Sequence, residues 1–196
     1  MAQFALETTA LDGIAVICPQ VFRDRRGYFL ESFNAQALSA LGLPTHFVQD
    51  NVSASRRGVI RGMHFQWDPP QGKLLSVLYG RIQLVELDIR PDSPHCGKHW
   101  TGEFCADEPR LVWIPPGFAN GFLVLSDSAI VHYKCTAPYN PSAEGSIRWN
   151  DPALAIPWAL DPSTEPITSD RDANGMTLDA WLSHPAAHSF SYHQRL

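Results

Sequence analysis

The sequence predicts an all-β jelly roll, and three observations carry the prediction. Short apolar or alternating segments recur through the first 140 residues. Turn signals such as Pro91-Asp92, Asp107-Glu108-Pro109, Pro115-Pro116-Gly117 and Ser126-Asp127-Ser128 fall between them. Helical periodicity is scarce. Many short strands with regular punctuation mean a β-sandwich or barrel.

Taken in order, strands are expected over 13–18, 28–33, 47–52, 58–65, 73–79, 82–89, 99–104, 110–114, 121–125 and 129–135. Gly80-Arg81 between two of them predicts a hairpin over 73–90. One helix is expected early, over 34–41, with Asn34 as its N-cap and Gly42 past its end. Beyond residue 140 prolines become denser and polar turns such as Asn150-Asp151-Pro152 multiply. This reads as one domain, 1–196: a barrel core over 1–140 and an irregular C-terminal extension over 141–196 packed on it. A short helix is expected near 177–183.

The chain has 196 residues, with 15 basic and 20 acidic side chains, a net charge of −5. That balance argues against non-specific nucleic-acid binding but not against a local pocket for one anion. No apolar run approaches the ~18 residues of a membrane span. The first twenty residues lack a basic n-region and carry Glu7 and Asp12, so no signal peptide is expected and the cytoplasm is the expected location. Cys18, Cys96, Cys105 and Cys135 form no C-x-x-C pair and read as reduced thiols.

The densest chemistry lies in 49–66. Strict alternation over Gly58 to Gln66 places Ile60, Gly62, His64 and Gln66 on one face, with Val59, Arg61, Met63 and Phe65 on the other. A histidine and arginines beside a lumen can hold an anionic ligand next to a general base. Alone, the segment fits a buried, satisfied histidine and two surface arginines as well. A lumen metal would need a second histidine and a carboxylate. Gln66 and Asn120 stand where such ligands would be, so no metal is expected.

Residues 61–66 (Arg-Gly-Met-His-Phe-Gln), 71–74 (Gln-Gly-Lys-Leu), 88–90 (Asp-Ile-Arg) and 117–122 (Gly-Phe-Ala-Asn-Gly-Phe) resemble the dTDP-4-dehydrorhamnose 3,5-epimerase family. So do 133–136, 149–152 and 169–172, and the Arg-Gly-Tyr-Phe run over 26–29. The resemblance implies a cupin-type jelly-roll homodimer, without cofactor or metal, acting on a nucleotide-linked 4-keto-6-deoxysugar. It implies His64 as base, Asp170 as the carboxylate orienting it, Tyr133 as the acid on the opposite ring face, and Lys73 as the cation at the developing oxyanion. Arg61 and Arg26 resemble diphosphate contacts, Arg26 from across the dimer. Phe29, Glu31, Gln49 and Asn51 resemble the base pocket, Tyr139 a stacking aromatic and Arg171 a further substrate contact.

Two positions depart from the family pattern. Asn120 replaces a histidine, and Leu84 replaces an aspartate four residues after Gly80. An amide donates a hydrogen bond but carries no proton charge. The expectation is that Asn120 holds a sugar oxygen without belonging to an acid–base pair. A mono-epimerase, or an enzyme for another substrate such as a GDP-4-keto-heptose, then stands beside the 3,5-epimerase. A 3,4-ketoisomerase and a non-catalytic nucleotide-sugar-binding cupin are the remaining alternatives.

Overall fold

The structure is a computed structural model, and it describes residues 4–7 and 9–192. Two antiparallel sheets face each other in a jelly-roll sandwich. The first sheet has six strands. In spatial order they are β1 (Phe4–Glu7), β2 (Ala15–Pro19), β10 (Leu111–Ile114), β7 (Lys73–Tyr79), β12 (Ser128–Cys135) and β5 (Gln49–Arg56). The second sheet runs β13 (Glu144–Ser146), β6 (Ile60–Gln66), β11 (Phe118–Val124), β8 (Arg81–Asp88) and β9 (His99–Cys105). A separate ribbon pairs β3 (Val21–Asp24) with β4 (Gly27–Leu30).

Period-2 alternation sorts side chains between the interior and the outer faces. On β8, Ile82 and Leu84 point between the sheets, where Leu75, Phe104, Val112, Phe122 and Val131 meet them. Val85, Leu87 and Ile89 point out and are covered by Trp181, Phe190 and Leu154 of the C-terminal extension. The indole of Trp181 donates to the Ile89 carbonyl at 3.1 Å, so its polar edge is satisfied as its rings are buried. Against the first sheet, α1 (Ala35–Ala40) sets Leu38 on Ile17, Leu74 and Trp113. The Asn34 side chain caps α1 by accepting from Ala37 N–H at 3.0 Å, as expected of that residue. The helix α3 (Leu178–Leu182), capped by Thr177, lies where a short helix was expected.

The expected hairpin at Gly80-Arg81 is not formed. β7 pairs with β10 and β12, while β8 pairs with β11 and β9 in the other sheet. The chain changes sheets there in one residue. Gly80 has φ +75°, and a Cβ on it would lie 2.1 Å from the Ser128 carbonyl oxygen. A tight glycine turn between two strands signals reversal, and here the reversal crosses the sandwich. The pattern also missed β1, β3 and β13, all four residues long or shorter. Among the described residues no helix is long and apolar enough to cross a membrane.

Candidate active site

His64 reaches the interior through an irregularity in β6. Asn120 of β11 stands opposite His64, but Phe122 stands opposite Arg61, so three steps on β6 span two on β11. An extra residue of this kind is a β-bulge. It turns Arg61 and His64 to the same side, where strict alternation had set them on opposite faces. Gly62 makes the bulge sterically possible. Its φ is +120°, and a Cβ there would lie 2.5 Å from the Gly121 Cα.

The carboxylate beside His64 is Asp172, not the expected Asp170. Nε2 of His64 lies 2.5 Å from Asp172 Oδ1. Ser169 caps the single turn α2 (Asp170–Ala173), accepting from the Asp172 N–H at 3.1 Å. Residues on such a turn are separated by about 100° each, so positions two apart point in nearly opposite directions. Asp172 is therefore buried, at 4% exposure, and Asp170 faces solvent. The turn is pinned on both sides: Ile60 N–H donates to the Ile167 carbonyl, and Arg148 N–H to the Met176 carbonyl. Burial works to raise the Asp172 pKa, but the hydrogen bond and charge of His64, with the Ser169 hydroxyl and Arg171, hold it below the usual aspartate value.

The opposite sheet supplies Lys73 and Tyr133. Lys73 Nζ donates to the His64 carbonyl at 3.3 Å, which joins the two sheets at this level. Burial pushes the Lys73 ammonium below its usual pKa, against the pull of Cys135 and Glu86. Tyr133 stands beside Leu75 and Asn51 on neighbouring strands. Burial raises its phenol above the ordinary value, and Arg61 opposes that rise. Arg61 itself is at the solvent edge, its Nε donating to Ser55 Oγ at 2.9 Å.

A polar rim continues from there. Gln49 donates to Asn51 at 3.1 Å and accepts from the Tyr139 N–H at 2.8 Å. Asn51 donates to the buried Cys135 sulfur at 3.5 Å. Arg171 pairs with Glu144 at 2.8 Å, and Glu144 holds the Tyr139 phenol above its usual pKa. Arg26, Phe29 and Glu31 lie elsewhere in the chain. Arg26 pairs with Asp24 at the exposed tip of the ribbon, Phe29 is 67% exposed against Phe22, and Glu31 accepts from Asn34.

The two departures resolve differently from expectation. Leu84 is fully buried among apolar neighbours, so no carboxylate occupies that position. A carboxylate is nevertheless present, because Glu86, one step further along the same face, accepts from Asn120 Nδ2 at 2.6 Å. Asn120 thus donates to a carboxylate that the sequence reading did not single out, without forming an acid–base pair. The signal for Glu86 was a charged side chain on the core-facing positions of an apolar strand. The signal for Asp172 was its place within the first turn after Ser169.

These elements together define a jelly-roll protein with a histidine–aspartate pair set between its sheets and its extension, and its fold is that of sugar-nucleotide epimerases among solved structures. The dTDP-6-deoxy-D-glucose-3,5-epimerase of Legionella pneumophila, solved with dTDP-4-keto-L-rhamnose, superposes with a TM-score of 0.87 at 42% identity, covering 92% of this chain and 97% of that one. A 3'-monoepimerase from Streptomyces bikiniensis, solved with dTDP-quinovose, gives 0.82 at 32% identity over 87% of this chain and 86% of its own. The dTDP-4-dehydrorhamnose 3,5-epimerase of Methanothermobacter thermautotrophicus is 48% identical over 179 residues, 91% of this chain and 96% of that protein. The dTDP-4-dehydrorhamnose 3,5-epimerase family model matches residues 8–180, and the chain belongs to that family.

Proposed function

We propose that the protein epimerises a nucleotide-linked 4-keto-6-deoxyhexose of the dTDP-4-keto-6-deoxyglucose type at carbon-3 and carbon-5. A proton alpha to a ketone is weakly acidic, so its removal needs a base together with stabilisation of the enolate oxygen. His64 is the base. Asp172 holds Nε2, which leaves Nδ1 for the substrate, and its charge stabilises the imidazolium once formed. Lys73 faces the oxygen that gains charge. Tyr133, from the opposite sheet, returns the proton to the other ring face, which inverts the carbon. The observation that carries this reading is the 2.5 Å contact between His64 and the buried Asp172, set across the interior from Lys73 and Tyr133. A pair held this way serves proton transfer, whereas binding alone requires neither acid nor base.

Arg61, Arg171, Tyr139, Gln49 and Asn51 bind the nucleotide and the sugar at the rim, and Asn120 holds a sugar oxygen deeper in, beside His64. Arg26, Phe29 and Glu31 belong to the same reading through a homodimer, in which the β3–β4 ribbon reaches the partner's site. The single domain with its extension, the absence of a metal or cofactor requirement and the cytoplasmic location are parts of the proposal as well.

A second reading rests on Asn120, which cannot carry charge where the family has histidine: inversion at one carbon only. Proton NMR of dTDP-4-keto-6-deoxyglucose in D₂O, following carbon-3 and carbon-5 separately, decides between them. Exchange at both carbons is expected. Exchange at one makes the protein a mono-epimerase, and exchange at neither overturns this substrate. In the same spectra Tyr133→Phe should keep exchange, which needs only the base, while net inversion fails.

A further inference from the structure

Glu86 is the buried acid that the mechanism above leaves without a task. It is fully buried on the interior face of β8. Asp88, two residues on and equally buried, is fully satisfied, with Arg90 at 2.6 and 2.9 Å and Ser93 at 2.6 Å. Among the described residues Glu86 has one hydrogen-bond partner. Oε1 accepts from Asn120, and Oε2 is enclosed without a hydrogen bond. A buried polar atom left so costs stability and calls for an explanation. The register supplies one. Asn120 stands opposite His64 on one side and opposite Glu86 on the other, so the three form one row across β6, β11 and β8. The base is at one end of that row and an unanswered oxygen at the other. Lys73, whose Nζ touches the His64 carbonyl, is the positive charge that Glu86 feels.

We propose that Glu86 is a neutral carboxylic acid whose Oε2–H, fixed by Asn120, donates to the carbon-4 oxygen of the sugar alongside Lys73. This deepens the epimerase reading and rests on it. Donation from Asn120 occupies Oε1 as an acceptor and leaves the proton to Oε2. Burial pushes the carboxyl well above its usual range, which Asn120 and Lys73 only partly offset. The proton stays on Glu86 throughout, and the bond tightens as charge grows on the acceptor. A neutral carboxyl kept as an oxyanion donor in an apolar site is a known catalytic device. Removing a proton from carbon-3 or from carbon-5 places the negative charge on the same carbon-4 oxygen. One donor therefore serves both steps, and its loss slows both equally.

The test compares wild type, Glu86→Gln and Glu86→Leu by deuterium exchange of dTDP-4-keto-6-deoxyglucose at each carbon, with dTDP affinity measured by calorimetry. Gln keeps the acceptor for Asn120 and places an N–H where Oε2 stands, so exchange should stay within about tenfold of wild type. Leu should lose about 10²–10³-fold at both carbons alike, with dTDP affinity unchanged. A Leu variant exchanging as wild type overturns the proposal, and so does a Gln variant that falls as far as Leu. Infrared spectra of the unliganded protein add a readout independent of turnover. A protonated-carboxyl C=O band near neutral pH that disappears in Glu86→Gln supports the proposal, and its absence from wild type overturns it even if the Leu variant does not fold. A wild-type protein that exchanges neither carbon overturns the epimerase reading itself.

Discussion

Asp170 and Asp172 are chemically identical and two residues apart, yet only one can reach His64. One capped turn decides between them, and that choice is testable. Asp172→Asn and His64→Ala should each lower turnover by about 10²–10⁴-fold, while Asp170→Asn should turn over near the wild-type rate. Steady-state kinetics on the three variants checks this, and a severe Asp170→Asn defect would contradict the geometry. Asp172 also ties stability to pH. Its folded pKa is held below the usual 3.8, so its contribution is fully present above that value and fades as pH falls through the lower folded one. Urea unfolding should show wild type more stable than Asp172→Asn near neutral pH, with the gap closing below the ordinary aspartate range. The sequence brought forward His64, Lys73, Tyr133 and Asn120 through the family resemblance, and the structure places all four on the strands that frame the proposed site. What was not legible was direction. Asp172 and Glu86 became visible only once a helical turn and a strand face had been oriented.

The elements set those directions. β6 carries Arg61 and His64, two residues of the proposed site, three positions apart on one side because Gly62 and Gly121 let the bulged backbones touch. Gly62→Ala should cost about 1–3 kcal/mol through its positive φ and the Cβ clash, and should weaken turnover by moving Arg61 away from His64. Thermal unfolding and kinetics on this variant test both. Alternation in the sequence predicted β6 and β8 well in extent but placed Arg61 wrongly. A bulge is one extra residue in one strand, and period-2 reading cannot register it without the partner strand. The Gly80 turn failed for a related reason, because turn chemistry states that the chain reverses and not which sheet it enters.

At the scale of the molecule, the site is shared between two sheets and an extension. The six-stranded sheet gives Lys73 and Tyr133, the five-stranded sheet His64, Glu86 and Asn120, and the extension Asp172 and Arg171. Trp181 anchors that extension on β8. Trp181→Ala should cost about 3–5 kcal/mol and should lower turnover more than substrate affinity, because Asp172 loses its fixed position while the binding residues outside the extension, Arg61, Gln49, Asn51 and Tyr139, remain. Calorimetric unfolding with a KM-against-kcat comparison measures both. The jelly roll itself was readable from strand spacing, since many short punctuated strands have few ways to bury their apolar faces.

His64 waits for a partner 108 residues further along the chain. During synthesis, the strands from β1 to β12 are made before Asp172. Translation order thus separates assembly of the scaffold from completion of the His64–Asp172 pair, and the nascent chain carries His64 without that carboxylate until the turn after Ser169 settles onto β6.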